Sequence, residues 1–392
     1  MKSDVLNAVD GQDVVLIVLL DLSAAFDTVD HGLLIQRLQN DIGVSETALG
    51  CFKSYLNSRS SCVSIDSVFS EQSKLIYGVP QGSVIGPVQF VIYTQPMGAI
   101  IRKHNVDFHS YADDYQLYVS FNPKLPGAAE TALHKLQHCI SDIKTWMNKN
   151  KLKLNNDKTE FFIAGTYQSL NKLPKLQLSI GESVIEPTSN IRNLGIIFDS
   201  NMTMGKQINS LISSGNYQLR NIRRICKYLD QDTRHLVVRA LFLSRLDYGN
   251  ALLYGSNSKD LNRLQSLQHR AVKLVFSASR LDSPLPLMQT LHWLPVTKRI
   301  KFKICLYVYK CLNDCGPKYL CNLLSHNSIP SIGPVTRSAM DRTLLSIPSS
   351  RKRIGERAFS VAGPSLWNSL PRHIRDAGST AIFKKLLKSY LY

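Results

Sequence analysis

Three aspartates stand out by position. Asp21 closes an aliphatic run, Val14 to Leu20, and Asp113 and Asp114 follow 92 and 93 positions later between two short aromatic-rich segments. Carboxylates gathered at strand ends form a hard-oxygen site suited to Mg²⁺, and two ions about 3.5–4 Å apart serve in-line phosphoryl transfer. A single strand-end aspartate is commonly a cap or turn residue. An adjacent pair is harder to explain that way, because neighbouring carboxylates repel unless a cation is near.

The elements that would position these groups can be read from periodicity. Residues 14–20 predict a central strand buried on both faces, with Asp21 at its end. Helix-like spacing follows over 24–39, and a period-two stretch over 62–65 predicts a strand. Residues 78–82 form a turn into a helix near Gly86-Pro87, where proline suits the first helical position. Residues 108–112 and 115–121 predict a hairpin with both carboxylates at its tip. Leu133, Leu136, Ile140, Ile143 and Met147, at steps of three and four, predict a long amphipathic helix. Strand-like segments 151–155 and 159–164 flank a polar Asn155-Asn156-Asp157 turn, and another strand covers 193–198. From about 206 the pattern is helical. Beyond 277 it is rich in Ser and Pro with short helical pieces, including 382–390. Strands and helices first, helices second, is an α+β arrangement.

Composition narrows the function classes. At about 150 residues per domain, 392 residues suggest two or three domains, and 44% hydrophobic residues exclude disorder as the main state. No apolar run approaches the roughly 20 residues of a membrane span, and no basic segment followed by an apolar stretch opens the chain. An intracellular protein without membrane association is therefore expected. Net charge is +18, unevenly placed: residues 1–165 carry 14 Lys+Arg against 17 Asp+Glu, and residues 166–392 carry 33 against 12. Such an excess is the footprint of a polyanion partner. Of eight cysteines, Cys305, Cys311, Cys315 and Cys321 cluster, with His326 beyond, but their spacing lacks the close pairs of zinc sites. Cys305 also falls on the apolar face shared with Phe302, Leu306, Tyr309 and Leu312, so reduced core thiols are expected.

Five segments carry a resemblance: LLDLSAAFDTVDH (19–31), GVPQGSVIGPVQF (78–90), YADD (111–114), LNNDKTEFF (154–162) and NLGIIFD (193–199). In order and spacing they resemble the successive palm motifs of reverse transcriptases, and their wording is similar to LINE-type, non-LTR retrotransposons. HWLPVTKRIKFKICLYVYKCLN (292–313) and RIGERAFSVAGPSLWNSLPRHIR (353–375) resemble the tail of those elements.

The resemblance implies a right-hand polymerase: a palm over 1–205 lacking most of the fingers, a helical thumb over 206–276, and a C-terminal extension over 277–392. It implies RNA-directed DNA polymerase activity with two Mg²⁺ ions, or Mn²⁺, an RNA template, a DNA primer and deoxynucleoside triphosphates. Asp21, Asp113 and Asp114 match the catalytic, metal-binding aspartates. Phe26 matches the aromatic that leaves no room for a 2′-hydroxyl. Gln81 and Gly82 match the turn against the incoming nucleotide, and Lys158 matches a lysine that protonates or neutralises pyrophosphate. Arg220, Arg223, Arg224 and Lys227 form one basic stripe, and Arg263, Arg270 and Lys273 another; in the resemblance they hold the template–primer backbone.

Departures set a competing expectation. Only about 20 residues precede Asp21 and none resembles a fingers region, so the chain reads as a 5′-truncated copy with impaired activity. Val88-Gln89 stands where two leucines are usual. The competing expectation is a catalytically silent, basic nucleic-acid-binding relic. Arg351-Lys352-Arg353 weakly favours a nuclear location.

Overall fold

The aliphatic run extends through Asp21 into one ten-residue strand, β1 (Val14–Ser23), at the centre of a five-stranded sheet. The structure, a computed structural model, describes residues 1–80, 82–326 and 344–392. It divides into two units. One comprises residues 13–189 with Met1, the other residues 190–392 with residues 2–12, which carry helix α1 (Lys2–Asp10).

In the first unit, β1 leads through α2 (His31–Asn40) and α3 (Glu46–Leu56) to α4 (Gly86–Thr94) and α5 (Met97–Lys103). The hairpin β2 (Asp107–Tyr111) and β3 (Asp114–Phe121) follows, then α6 (Ala128–Lys149), β4 (Lys153–Ala164) and the two-residue β5 (Pro187–Thr188). The sheet order is β5-β4-β1-β3-β2, with antiparallel pairing except between β5 and β4. Side chains alternate across a strand. Val14, Leu16, Val18, Leu20 and Leu22 therefore share one face and join the core that α6 supplies through Leu136, Ile140, Ile143 and Met147. Asp21 falls on the opposite face.

Three local expectations are corrected. The helix expected over 24–39 begins only at His31. Ala24 has φ +49°, and the Asp30 carboxylate caps the helix by accepting from the Leu33 N–H at 2.9 Å. The strand expected over 62–65 reduces to the pairs Ser60–Ser61 and Ser64–Ile65. Val63 and Ile65 stay exposed, so no apolar face drives a longer strand. The polar Asn155-Asn156-Asp157 segment is no turn between two strands. It is a wide bulge within continuous β4, where four residues, 156–159, oppose Leu20 alone.

In the second unit, β6 (Asn190–Asn193) and β7 (Ile196–Asp199) form a hairpin closed by Leu194 and Gly195, both at positive φ (45° and 79°). Helices α7 (Gly205–Ile225), α8 (Gln231–Val238), α9 (Ser258–Phe276), α10 (Val296–Leu312), α11 (Phe359–Asn368) and α12 (Thr380–Leu391) follow, linked by shorter turns. α9 starts where the Asn257 side chain accepts from the Lys259 N–H, and α12 where Ser379 accepts from Ile382. Tyr309 of α10 stacks on Phe383 of α12 with ring centres 4.2 Å apart, and Trp367 of α11 completes the cluster. Cys305 and Cys311 are buried on α10, and burial pushes the Cys305 thiol up to about 12. Among the described residues, no three His, Cys, Asp or Glu side chains gather closely enough to hold a metal ion. α1 is tied into this unit by Asp10, whose carboxylate accepts from the backbone N–H groups of Arg351 and Lys352, both at 2.7 Å. Gly355 is required there: a Cβ would lie 2.5 Å from the Asp10 carboxyl carbon. Among the described residues, no helix is long and apolar enough to cross a membrane.

Candidate active site

Register brings the distant aspartates together. β1 and β3 pair antiparallel up to Leu20 opposite Tyr115, so the next step sets Asp21 against Asp114. Directly opposed residues in such a pair lie on one face with Cβ atoms about 5 Å apart. Tyr115, Leu117, Val119 and Phe121 join the α6 core, which leaves Asp114 on the other face with Asp21. Tyr111 pairs with Asp114 to close a two-residue turn of Ala112 and Asp113, and Ala112 is held at φ +52°. A left-handed alanine costs roughly 1–2 kcal/mol, a strain characteristic of functional tips.

Electrostatics register the convergence. Burial, then the charges of Asp113 and Asp21, raise the Asp114 carboxyl above its ordinary value. The three groups are thus within electrostatic range without forming a chelating cluster among themselves. Their chemistry fits a divalent cation, since an all-carboxylate donor set suits a hard ion whose charge would relieve their repulsion.

The β4 bulge has a local cause and a consequence. The Asn155 side chain accepts from the Lys158 N–H at 3.3 Å, and the Asn155 carbonyl accepts from the Thr159 hydroxyl at 2.8 Å. This looping puts the exposed Lys158 ammonium 4.0 Å from Asp21 Oδ2. Asn155, which faces Asp21 in register, gave no sign in the sequence beyond its turn propensity.

Phe26 is half-buried in the turn after β1, with its ring 5.0 Å from that of Phe90 on α4. Its carbonyl accepts from the Val79 N–H at 2.8 Å, and the Val29 carbonyl accepts from the Gly78 N–H at 2.8 Å. The 78–82 turn is thereby fastened to the 24–29 turn. Gly82 has φ +81°, and a Cβ there would meet nothing within 4 Å, so it is backbone conformation rather than crowding that needs glycine. Gln81 lies outside the described residues.

A supporting network behind these turns had no sequence signal. The Tyr93 hydroxyl donates to the Asn150 carbonyl at 2.6 Å. The Arg37 guanidinium, bonded to Asn150, lies over the rings of Tyr93 and Trp146 at 4.6 and 5.2 Å. It joins α2, α4 and the end of α6. Gln89 is the opposite case: it is fully buried on α4, and neither of its amide atoms has a hydrogen-bond partner among the described residues.

In the second unit, the expected basic residues divide. Arg220 and Arg223 of α7 and Arg270 of α9 line one groove of about 400 Å³. Arg224 is exposed on α7 outside that lining. Lys227 lies beyond α7, in a tighter turn (Cys226–Tyr228), with its ammonium 4.7 Å from the Tyr228 ring centre; the helical stripe therefore ends before it. Arg263 binds Asp260 and Asn209, and Lys273 donates to the Arg280 carbonyl.

Comparison with known proteins is decisive for the first unit. Residues 5–198 match the family model described as reverse transcriptase (RNA-dependent DNA polymerase). That segment belongs to the reverse transcriptase family. The chain is 25% identical over 284 residues to a probable RNA-directed DNA polymerase from transposon BS of Drosophila melanogaster, covering 70% of this chain and 30% of that protein. It is 24% identical over 268 residues to the RNA-directed DNA polymerase from mobile element jockey of Drosophila funebris, covering 66% and 28%. The chain, with its reverse transcriptase segment, thus spans under a third of the length of the curated relatives it matches. A solved structure of apo telomerase from Candida tropicalis aligns at 12% identity with a TM-score of 0.38, covering 74% of this chain and 44% of that one. Asp21, Phe26, Gly82, Asp113, Asp114 and Lys158 all lie inside the reverse transcriptase segment, and all the basic helix residues lie beyond it.

Proposed function

We propose that this chain is the RNA-directed DNA polymerase portion of a non-LTR retrotransposon, adding deoxynucleotides to a DNA primer 3′-hydroxyl on an RNA template. The observation that carries the reading is the β1–β3 register, which runs to Leu20 opposite Tyr115 and so brings Asp21, with Asp113, within electrostatic range of Asp114. In this reading residues 1–205 act as the palm, 206–276 as the thumb and 277–392 as an extension. Asp21, Asp113 and Asp114 would hold two Mg²⁺ ions, or Mn²⁺. When bound, such ions supply charge neutralisation for the attacking and leaving oxygens of an in-line displacement.

The remaining roles belong to the chain itself. Phe26, braced by Phe90, blocks space for a 2′-hydroxyl and so selects deoxynucleotides. Gln81 and Gly82 pack against the incoming nucleotide and template base. Lys158, exposed and 4.0 Å from Asp21, can deliver a proton or a compensating charge to pyrophosphate. Arg220, Arg223 and Arg270, which line one groove, and Arg224, Lys227, Arg263 and Lys273 elsewhere in residues 206–276 bear on phosphates without reading sequence.

One observation favours a rival reading, a silent nucleic-acid-binding relic. Gln89, buried with neither amide atom partnered among the described residues, is the kind of defect that accumulates when activity is not maintained. Primer extension on an RNA template with Mg²⁺ and deoxynucleotides decides between them. The polymerase reading expects incorporation by the wild type and loss in Asp113→Ala. Equal background incorporation by both proteins would leave only the rival.

A further inference from the structure

Within the second unit, α10, α12 and the turn before α9 enclose a cavity of about 250 Å³ that plays no part in the polymerase reading. Its walls include Asp247, Asn250, His292, Arg299, Lys303 and Lys388. Three permanent cations therefore face one carboxylate, and that carboxylate is already engaged. Arg299 donates through Nε to Asp247 Oδ1 at 2.8 Å and through Nη2 to Oδ2. Lys388 has no such partner among the described residues. Burial, then the charges of Arg299 and Arg239, hold its ammonium below the usual lysine range. With Arg299 paired to Asp247, Lys303 and Lys388 remain in the recess without an acid of their own among the described residues, which makes it a receptor for an anion.

Two further features shape the recess. Asn250 is only 6% exposed; its Nδ2 donates to Asp247 Oδ1 at 3.2 Å and so engages that carboxylate further, while its Oδ1 is buried with no partner among the described residues. That oxygen is sealed off from the recess, so Asn250 acts there only by holding the Asp247 carboxylate. Leu294 and Phe302 add an apolar wall of the kind on which a nucleobase rests. Phosphate charge and a flat apolar face coincide in a nucleotide.

We propose that this cavity binds the phosphate of a nucleotide, either free or at the end of a strand, through Lys388, Lys303 and Arg299, with Phe302 against the base. The basic groove on α7 and α9 tracks a backbone along a surface, whereas this recess is built to receive a single terminal group. Residues from three separated parts of the C-terminal region, 247–250, 292–303 and 388, would then share one purpose.

Binding there requires no polymerase activity, so it is measured directly on the full chain by calorimetric titration. The probes are adenosine 5′-monophosphate, inorganic phosphate, and one oligoribonucleotide with and without a 5′-phosphate. Saturable binding of the monophosphate is expected, at least tenfold weaker in Lys388→Met and in Lys303→Met. Lys388→Met removes a desolvated cation and should keep its melting temperature; Lys303→Met serves as the independent second variant. If the 5′-phosphate strengthens oligonucleotide binding and Lys388→Met abolishes that increment, the strand end is the source; if only the monophosphate responds, the free nucleotide is. No saturable binding below about 10 mM, wild-type affinity in both variants, or inorganic phosphate binding as tightly as the nucleotide would each overturn the assignment.

Discussion

The two units carry opposite electrostatic problems. Residues 13–189 with Met1 hold 15 Lys+Arg against 17 Asp+Glu, net −2, yet concentrate like charges at one place, where Asp113 and Asp21 press on Asp114. The other unit holds 32 against 12, net +20, and crowds cations instead. There Lys2 is desolvated near Arg357, and Lys388 sits near Arg299 and Arg239. A near-neutral unit with one anionic focus suits cations; a basic unit with several cationic recesses suits phosphates. Overall charge would have hidden this, because +18 belongs to neither unit's chemistry alone.

The largest expected effect separates the two directly. Asp113→Ala should lower primer extension by about 10³-fold or more, the scale of several kcal/mol of lost transition-state stabilisation. Affinity for an RNA–DNA duplex should stay within about twofold, since phosphate contacts carry that binding. A parallel loss of binding, measured by fluorescence anisotropy, would break the division. The converse change, Arg220, Arg223 and Arg270 together to Gln, should weaken duplex binding and flatten the slope of log affinity against log salt by about 2–3. An unchanged slope would remove the groove from the interface.

Buried amides offer the next contrast. Gln268 in the second unit is fully buried and donates through Nε2 to the Leu294 carbonyl at 2.9 Å, with only its Oε1 unpartnered, whereas neither amide atom of Gln89 in the first has a partner among the described residues. Gln89→Leu should therefore stabilise by about 1–3 kcal/mol, read by denaturant unfolding, because an unsatisfied buried amide costs about that much. Gln268→Leu should destabilise, leaving a carbonyl orphaned.

The smallest effects are pH slopes of opposite sign. Asp114 is raised above 3.8, so between that value and its folded value the native state binds the extra proton and stability falls as pH rises. Lys2 is lowered below 10.5, so between its folded value and 10.5 the unfolded state binds the extra proton and stability rises with pH. Thermal unfolding across pH should show Asp114→Asn removing the first slope and Lys2→Met the second. Mg²⁺ should reduce the first slope only.

Much of the first unit was legible because its signals are local. The unbroken run 14–20, the three-and-four spacing of α6 and the aromatic hairpin around Asp113 and Asp114 each announce an element within a dozen or so residues. The failures were also local in cause. Residues 24–29 have helical spacing, but Asp30 offered a better cap and Ala24 a left-handed turn. Asn155-Asn156-Asp157 has turn composition, but continuous pairing with β1 on both sides absorbed it as a bulge.

What the sequence by itself determined is therefore the inventory: which segments are strands or helices, which carboxylates end them, and that the positive charge lies late in the chain. Periodicity and composition are properties of neighbours, so they survive without a fold. Tertiary structure alone decided the partnerships. Register chose Asp114 as the neighbour of Asp21, the bulge carried Lys158 to it, Asp10 joined the N-terminal helix to residues 351–352, and Lys388 came to rest near Arg299. Each joins residues tens to hundreds of positions apart, where only the packing of whole elements, and no local preference, sets the distance.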